Sequence, residues 1–71
     1  MSGRPLADEA YRLARSQDRT RSGIHYEVLK AALLEDGTLI RGPNQGQTLA
    51  AALRNAPDLF EWLERGIWRW K

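Results

Sequence analysis

Three segments of the chain repeat apolar residues at steps of three and four, which is the period of one face of a helix. The predicted helices run from Leu6 to about Ser16, from about Tyr26 to Glu35, and over residues 44–55. Asn44 is a good N-cap for the third helix, and Gly37 suits the left-handed position that ends the second. The stripe predicted to be buried on the second helix consists of Val28, Leu29, Ala32 and Leu33.

The last fourteen residues change to a period of two, which predicts two strands. Glu64-Arg65-Gly66 fits a three-residue hairpin loop with glycine at the left-handed position. This loop sets the expected cross-strand pairs: Phe60 with Trp70, Glu61 with Arg69, Trp62 with Trp68, and Leu63 with Ile67. An isolated apolar residue before the second helix, Ile24, is the candidate for a third short strand.

Three helices followed by a hairpin is the element order of a winged helix-turn-helix, an α+β fold. Residues 6–71 are predicted to form this single domain, and residues 1–5 a flexible tail. The second and third helices form the helix-turn-helix pair, and the C-terminal two-stranded hairpin forms the wing. In folds of this type the last helix of the pair enters the major groove of DNA.

The hairpin collects four aromatic side chains on one face. A chain of 71 residues without cysteine has neither disulfides nor thiolate metal sites, so its core depends on packing alone. We therefore expect these aromatics to fill the core rather than to form an exposed stacking platform for single strands. The four residues are Phe60, Trp62, Trp68 and Trp70.

Candidate catalytic groups are sparse. His25 is the single histidine and lies where it can cap the second helix, while Ser16 and Ser22 have no identifiable base partner. Adjacent Glu35 and Asp36 point to different helix faces, and no glycine-rich phosphate loop with a lysine occurs. We therefore expect no enzyme activity, no catalytic residue, no metal, no cofactor and no small-molecule substrate.

Composition also sets expectations for location. No apolar run approaches the roughly 20 residues that span a bilayer, and residues 1–5 lack a secretory signal. We expect a cytoplasmic protein that does not associate with membranes, nucleoid-associated if its source is bacterial. The net charge is only +2, but residues 37–57 contain two arginines, Arg41 and Arg54, and no acid.

Three local motifs resemble the HARE-HTH family of winged helices. They are Ile24-His25-Tyr26 at a helix start, Ala51-Ala52-Leu53-Arg54 at a helix end, and the closing run from Leu59 to Trp68. The resemblance covers about Leu6 to Lys71 and departs in the Trp-rich final strand. Members occur in restriction-modification proteins, chromatin regulators and the delta subunit of bacterial RNA polymerase. The resemblance therefore implies DNA binding or docking onto DNA-handling machinery, including transcription regulation.

The partner expected from this pattern is double-stranded DNA. With Leu49 and Leu53 facing inward, the opposite side of the third helix is polar and free of acids. Its amides suit adenine, and its arginine suits guanine or phosphate. The predicted DNA-binding residues are Asn44, Gln47, Thr48, Ala51, Arg54 and Asn55 on the helix, Arg41 before it, and Arg65 at the 64–66 wing tip, on the backbone or in the minor groove.

The rival hypothesis is a protein-protein interaction module that docks on transcription or DNA-modification machinery. It predicts an exposed apolar patch, for which Leu63 and Ile67 on the open side of the wing are the candidates. A larger parent protein and a homodimer are both left open. The DNA hypothesis depends on the outer side of the third helix being open to solvent.

Overall fold

The computed structural model describes residues 5–71. It confirms the predicted α+β class, with three helices and a three-stranded antiparallel sheet, an arrangement compatible with a winged helix. The elements are α1 (Pro5–Gln17), β1 (Ile24–His25), α2 (Tyr26–Glu35), α3 (Gln45–Arg54), β2 (Phe60–Glu64) and β3 (Ile67–Trp70). Within the described part of the chain, none of the helices has the length and apolar character required to cross a membrane.

The helix ends follow the predicted signals closely. The second helix has its predicted bounds, and the third lies between the caps Asn44 and Asn55. Gly37 takes the left-handed conformation predicted for it, with φ of 85°. The predicted tail is described only at Pro5, which is the first residue of α1 and not part of a tail. Proline suits this position because its φ is preset for a helix and its missing N–H would have had no partner there.

The third strand predicted at Ile24 is present and forms one edge of the sheet. The strand order is β1-β3-β2, with Ile24 opposite Trp68 and His25 opposite Ile67. Because β1 leads directly into α2, this edge strand ties the start of the second helix to the wing.

The predicted hairpin register is correct for three pairs and wrong for the fourth. Glu64, not Leu63, lies opposite Ile67, and the ladder is irregular between Trp62 and Glu64. Leu63 is therefore an extra residue in β2, a bulge of the kind that bends and twists a strand. The turn shortens to Arg65-Gly66, with Gly66 in the predicted left-handed region at φ of 81°.

The core lies where the three helices cover one face of the sheet. Its members are Ala10, Leu13, Ala14, Ile24, Leu29, Leu33, Ile40, Leu49, Leu53, Phe60 and Trp68. Two residues predicted to be buried are not: Val28 is 54% exposed and Trp62 is 62% exposed. Burial along β2 decreases from Phe60 toward the wing tip. On α2, Leu29 and Leu33 are the buried positions, and Val28 lies outside the covered stripe.

A buried carboxylate organises the loop between α1 and β1. Asp18 accepts hydrogen bonds from the N–H and hydroxyl of Ser22, both at 3.0 Å, and from the N–H of Gly23 at 2.8 Å. The backbone carbonyl of Asp18 accepts a bond from the Trp70 indole at 2.7 Å. One residue thus joins the end of α1, the start of β1 and the last strand.

The pKa of Asp18 reflects this arrangement. Burial alone would raise it, but the hydrogen bonds from Gly23 and Ser22 outweigh burial and hold the pKa below its ordinary value. A carboxyl whose pKa is lower in the folded state stabilises the fold above its unfolded pKa. That stabilisation is lost as the pH falls through the folded pKa.

We expect Asp18→Asn to lower the free energy of unfolding at pH 7 by about 1–3 kcal/mol, because an amide cannot accept all three bonds. The difference from the parent should shrink as the pH falls below about 4, where the unfolded chain takes up a proton at this carboxyl, and it should be lost as the pH falls through the lower pKa of the folded Asp18. Urea unfolding at neutral and acidic pH measures both effects. The control is Glu35→Gln, which alters an exposed carboxyl; equal losses in the two variants would contradict this role for Asp18.

Candidate nucleic-acid interface

The outer side of α3 is open to solvent, as the DNA hypothesis requires. Leu49 and Leu53 are fully buried, whereas Gln47, Ala51 and Arg54 on the opposite side are exposed. The amphipathic spacing therefore orients the helix as predicted, with an amide and a guanidinium directed outward and a small residue between them.

Two of the predicted contact residues, Asn44 and Thr48, form hydrogen bonds within the first turn of α3. Asn44 is exposed at the N-cap, and its Oδ1 accepts a bond from the Gln47 N–H at 3.1 Å. Thr48 is half-buried, and its hydroxyl donates to the Asn44 carbonyl at 3.0 Å. The Thr48 hydroxyl proton is thus already used within the helix. Of the polar contact residues predicted on this helix, the exposed ones whose side chains are not used in this way are Gln47 and Arg54 of α3 and Asn55 at its C-cap.

A cleft of about 390 Å³ separates α3 from the wing. It brings together three predicted contact residues from two elements: Gln47 and Arg54 of α3, and Arg65 of the wing turn. Its complete lining is Tyr26, Gly46, Gln47, Ala50, Arg54, Trp62, Arg65, Gly66 and Trp68, without a carboxylate.

Arg41 does not join this cleft. It lines a separate groove with Leu6 of α1, Leu39 and Thr48, beside the connection between α2 and α3. Arg41 stays a predicted phosphate contact before α3, on a surface separate from the cleft. Six of the nine lining residues, including Tyr26 and Trp62, were not predicted as contacts, because a local helix or strand pattern does not show which elements meet.

Tyr26 lies between the two walls of the cleft. A Cβ atom at Gly46 of α3 would be 3.0 Å from Tyr26 Cε2, and one at Gly66 of the wing would be 3.5 Å from Tyr26 Cε1. Gly46 therefore lets the α3 backbone approach the ring more closely than most residues permit, whereas a Cβ at Gly66 would be in ordinary contact with the ring. In addition, the Tyr26 N–H donates to the Gly66 carbonyl at 2.9 Å. The separation of α3 and the wing is set by this ring.

His25 has the structural role predicted for it, the N-cap of α2, and it lies between Tyr26 and Gly66 of the wing turn. Its Nδ1 accepts a bond from the Glu27 N–H at 3.0 Å, which caps α2. Its ring stacks on Tyr26 at a centroid distance of 4.8 Å, and its Nε2 would be 2.8 Å from a Cβ at Gly66. In the described residues 5–71, no three histidine, aspartate or glutamate side chains form a group that could hold a metal.

The electrostatic surroundings of the cleft are mostly favourable to an anion. One carboxylate at its edge belongs to Glu27, whose Oε1 would be 3.1 Å from a Cβ at Gly46. Glu27 forms an ion pair with Lys30 at 3.0 Å, which offsets its charge. Among the ion pairs of the described residues, none involves Arg54 or Arg65.

The apolar patch predicted for the rival hypothesis is only partly open. Leu63 is 37% exposed, and Ile67 is half-buried. Both side chains point toward Gly23, where an added Cβ would be 2.9 Å from each of them. The loop before β1 thus occupies part of the surface that a protein partner was expected to use.

Comparison of the chain with protein-family models, curated proteins and solved structures finds no match. The resemblance to HARE-HTH domains stays a prediction from the sequence.

We expect Gly66→Ala to destabilise the domain more than Gly37→Ala. Both glycines have positive φ, 81° and 85°, but only Gly66 has a neighbour that a Cβ would strike. Backbone strain should cost each variant about 1 kcal/mol. The contact with His25 should cost Gly66→Ala about 1–3 kcal/mol more. Urea unfolding of the two variants tests this. Equal losses of unfolding free energy would show that the wing turn does not pack tightly against His25.

Proposed function

We propose that this domain binds double-stranded DNA without catalysing a reaction, with α3 in the major groove and the wing tip on the backbone or in the minor groove. The observation that carries the proposal is the cleft between α3 and the wing. It presents Gln47, Arg54 and Arg65 together, and no carboxylate lines it.

The exposed side of α3 has the chemistry for contact with bases. A glutamine amide can form two hydrogen bonds with adenine, and an arginine can bond guanine or a phosphate. Ala51 lies exposed between Gln47 and Arg54, so no bulky side chain prevents the helix from approaching the groove floor. These features support assigning base contacts to α3.

The wing has the chemistry for contact with the backbone. Arg65 lies in the two-residue turn, and the adjacent Gly66 is held by the Tyr26 N–H. An anchored turn loses little conformational freedom on binding, and a phosphate contact adds affinity without reading sequence. We therefore assign Arg65 to positioning rather than to base recognition.

The resemblance noted in the sequence implies the same activity. The two motifs that carry it most strongly, His25-Tyr26 and Arg65-Gly66, are far apart in the chain but in contact in the fold. Their shared role is to hold the wing beside α3. This juxtaposition supports a function in which helix and wing act on one ligand.

The expected affinity of one domain is modest, because only two arginines line the cleft. Each phosphate neutralised by a basic side chain contributes about 0.9 to the slope of log affinity against log salt concentration. We expect the double variant Arg54→Gln, Arg65→Gln to reduce this slope by about 1.8 if both arginines contact phosphate. Anisotropy titrations of a labelled duplex at several salt concentrations measure it.

Arg19→Gln is a charge-matched control, because Arg19 is exposed and lines a different groove with Tyr11 and Trp70. It should leave the slope nearly unchanged. Absence of binding to any duplex at low salt would refute the proposal. If binding persists but the control lowers the slope as much as the cleft variants do, DNA contacts another surface.

A further inference from the structure

Trp62 is exposed in a domain that depends on its aromatic residues for a core. It lies opposite Trp68 in the hairpin, yet Trp62 is 62% exposed and Trp68 only 8%. Leaving most of an indole in water forgoes the stabilisation that burial would give. The side chain is not isolated on the surface, because it lines the cleft between α3 and the wing.

The cleft combines three features around this indole. Arg54 and Arg65 supply positive charge, Gln47 supplies an amide, and Trp62 supplies an aromatic face. The volume of about 390 Å³ is within the range of sites that hold small ligands, roughly 300–1,000 Å³. A flat, anionic ligand with hydrogen-bonding edges matches this lining, and a nucleotide has all of these properties.

We infer that the cleft receives an unpaired nucleobase, stacked on Trp62, while Arg54 or Arg65 contacts a phosphate of the same strand. A base inside an intact duplex is stacked on both faces and cannot also stack on an indole, so the occupant must be unpaired or extruded. The domain therefore prefers duplex DNA that carries unpaired nucleotides over blunt duplex. This inference rests on the proposed function and adds the structural class of DNA.

Three labelled DNAs test the inference by fluorescence anisotropy at one salt concentration. The first is a short blunt duplex, and the second is the same duplex with a short thymidine overhang. The third has abasic sugars in that overhang, which keep the phosphates but remove the bases. We expect the thymidine overhang to bind about tenfold more tightly than either of the other two, the scale of one base stacked on an aromatic ring.

Variants of Trp62 test whether this side chain causes the preference for the thymidine overhang. Trp62→Ala should lower the affinity for the thymidine overhang to that of the same variant for blunt duplex, and Trp62→Phe, which keeps a ring, should retain most of the preference. Leu63→Ala is the matched control, because Leu63 is the next residue of β2 and is also exposed. Because Trp62 is mostly exposed, its replacement should leave the unfolding midpoint close to that of the parent.

A spectroscopic readout accompanies the titrations. Stacking should quench tryptophan fluorescence on addition of the thymidine overhang, and this quenching should be lost in Trp62→Phe. Equal binding of the blunt and overhang duplexes overturns the inference but leaves the proposed function intact, and so does equal binding of the abasic and thymidine overhangs. Failure of all three DNAs to bind overturns both.

Discussion

The packing of the Tyr26 ring between α3 and the wing determines how the two walls of the cleft are spaced. Tyr26 separates Gly46 of α3 from Gly66 of the wing, and its own N–H bonds the Gly66 carbonyl. The α3 backbone could approach the ring as it does only because Gly46 carries no Cβ, and at Gly66 a Cβ would lie 2.8 Å from Nε2 of His25, which stacks on the same ring. The spacing of α3 and the wing at this point is therefore tied to the close packing around Tyr26.

The aromatic face of the hairpin shows how packing partners determine the role of a residue type. Phe60 and Trp68 lie under the helices and form the core, whereas the outer tryptophans lie at either end of that face. Trp70 packs at its end near α1, with the guanidinium of Arg21 5.3 Å from its ring and the Asp18 carbonyl bonded to its indole. Trp62, at the opposite end, has no such cover. Trp70 therefore contributes to the packing of the domain, whereas Trp62 is available for contact with a partner.

Local patterns in the sequence were sufficient to predict the helices, the cap at Asn44, the left-handed glycines and three of the four pairs in the hairpin. They could not predict the bulge at Leu63, because an irregular ladder depends on how the wing docks against β1 and α2. The exposure of Trp62 depends equally on where the helices end above the sheet.

The sequence predicted the contact residues of the site one element at a time, namely Gln47, Arg54 and Arg65. Their meeting in one cleft, and the exclusion of Arg41 from it, depend on long-range packing.

The bulge in β2 has a consequence for how copies of this chain meet. The order β1-β3-β2 leaves β2 with an unpaired outer edge, which in a flat apolar strand would be a template for association. Leu63 interrupts the regular spacing of that edge, and Glu64 adds an exposed carboxylate at the end of the same strand. Natural sheets are guarded against edge-to-edge aggregation by such irregularities and charges. In a small domain that displays tryptophan beside an open strand, the bulge and the charge both act against edge-to-edge pairing of two copies.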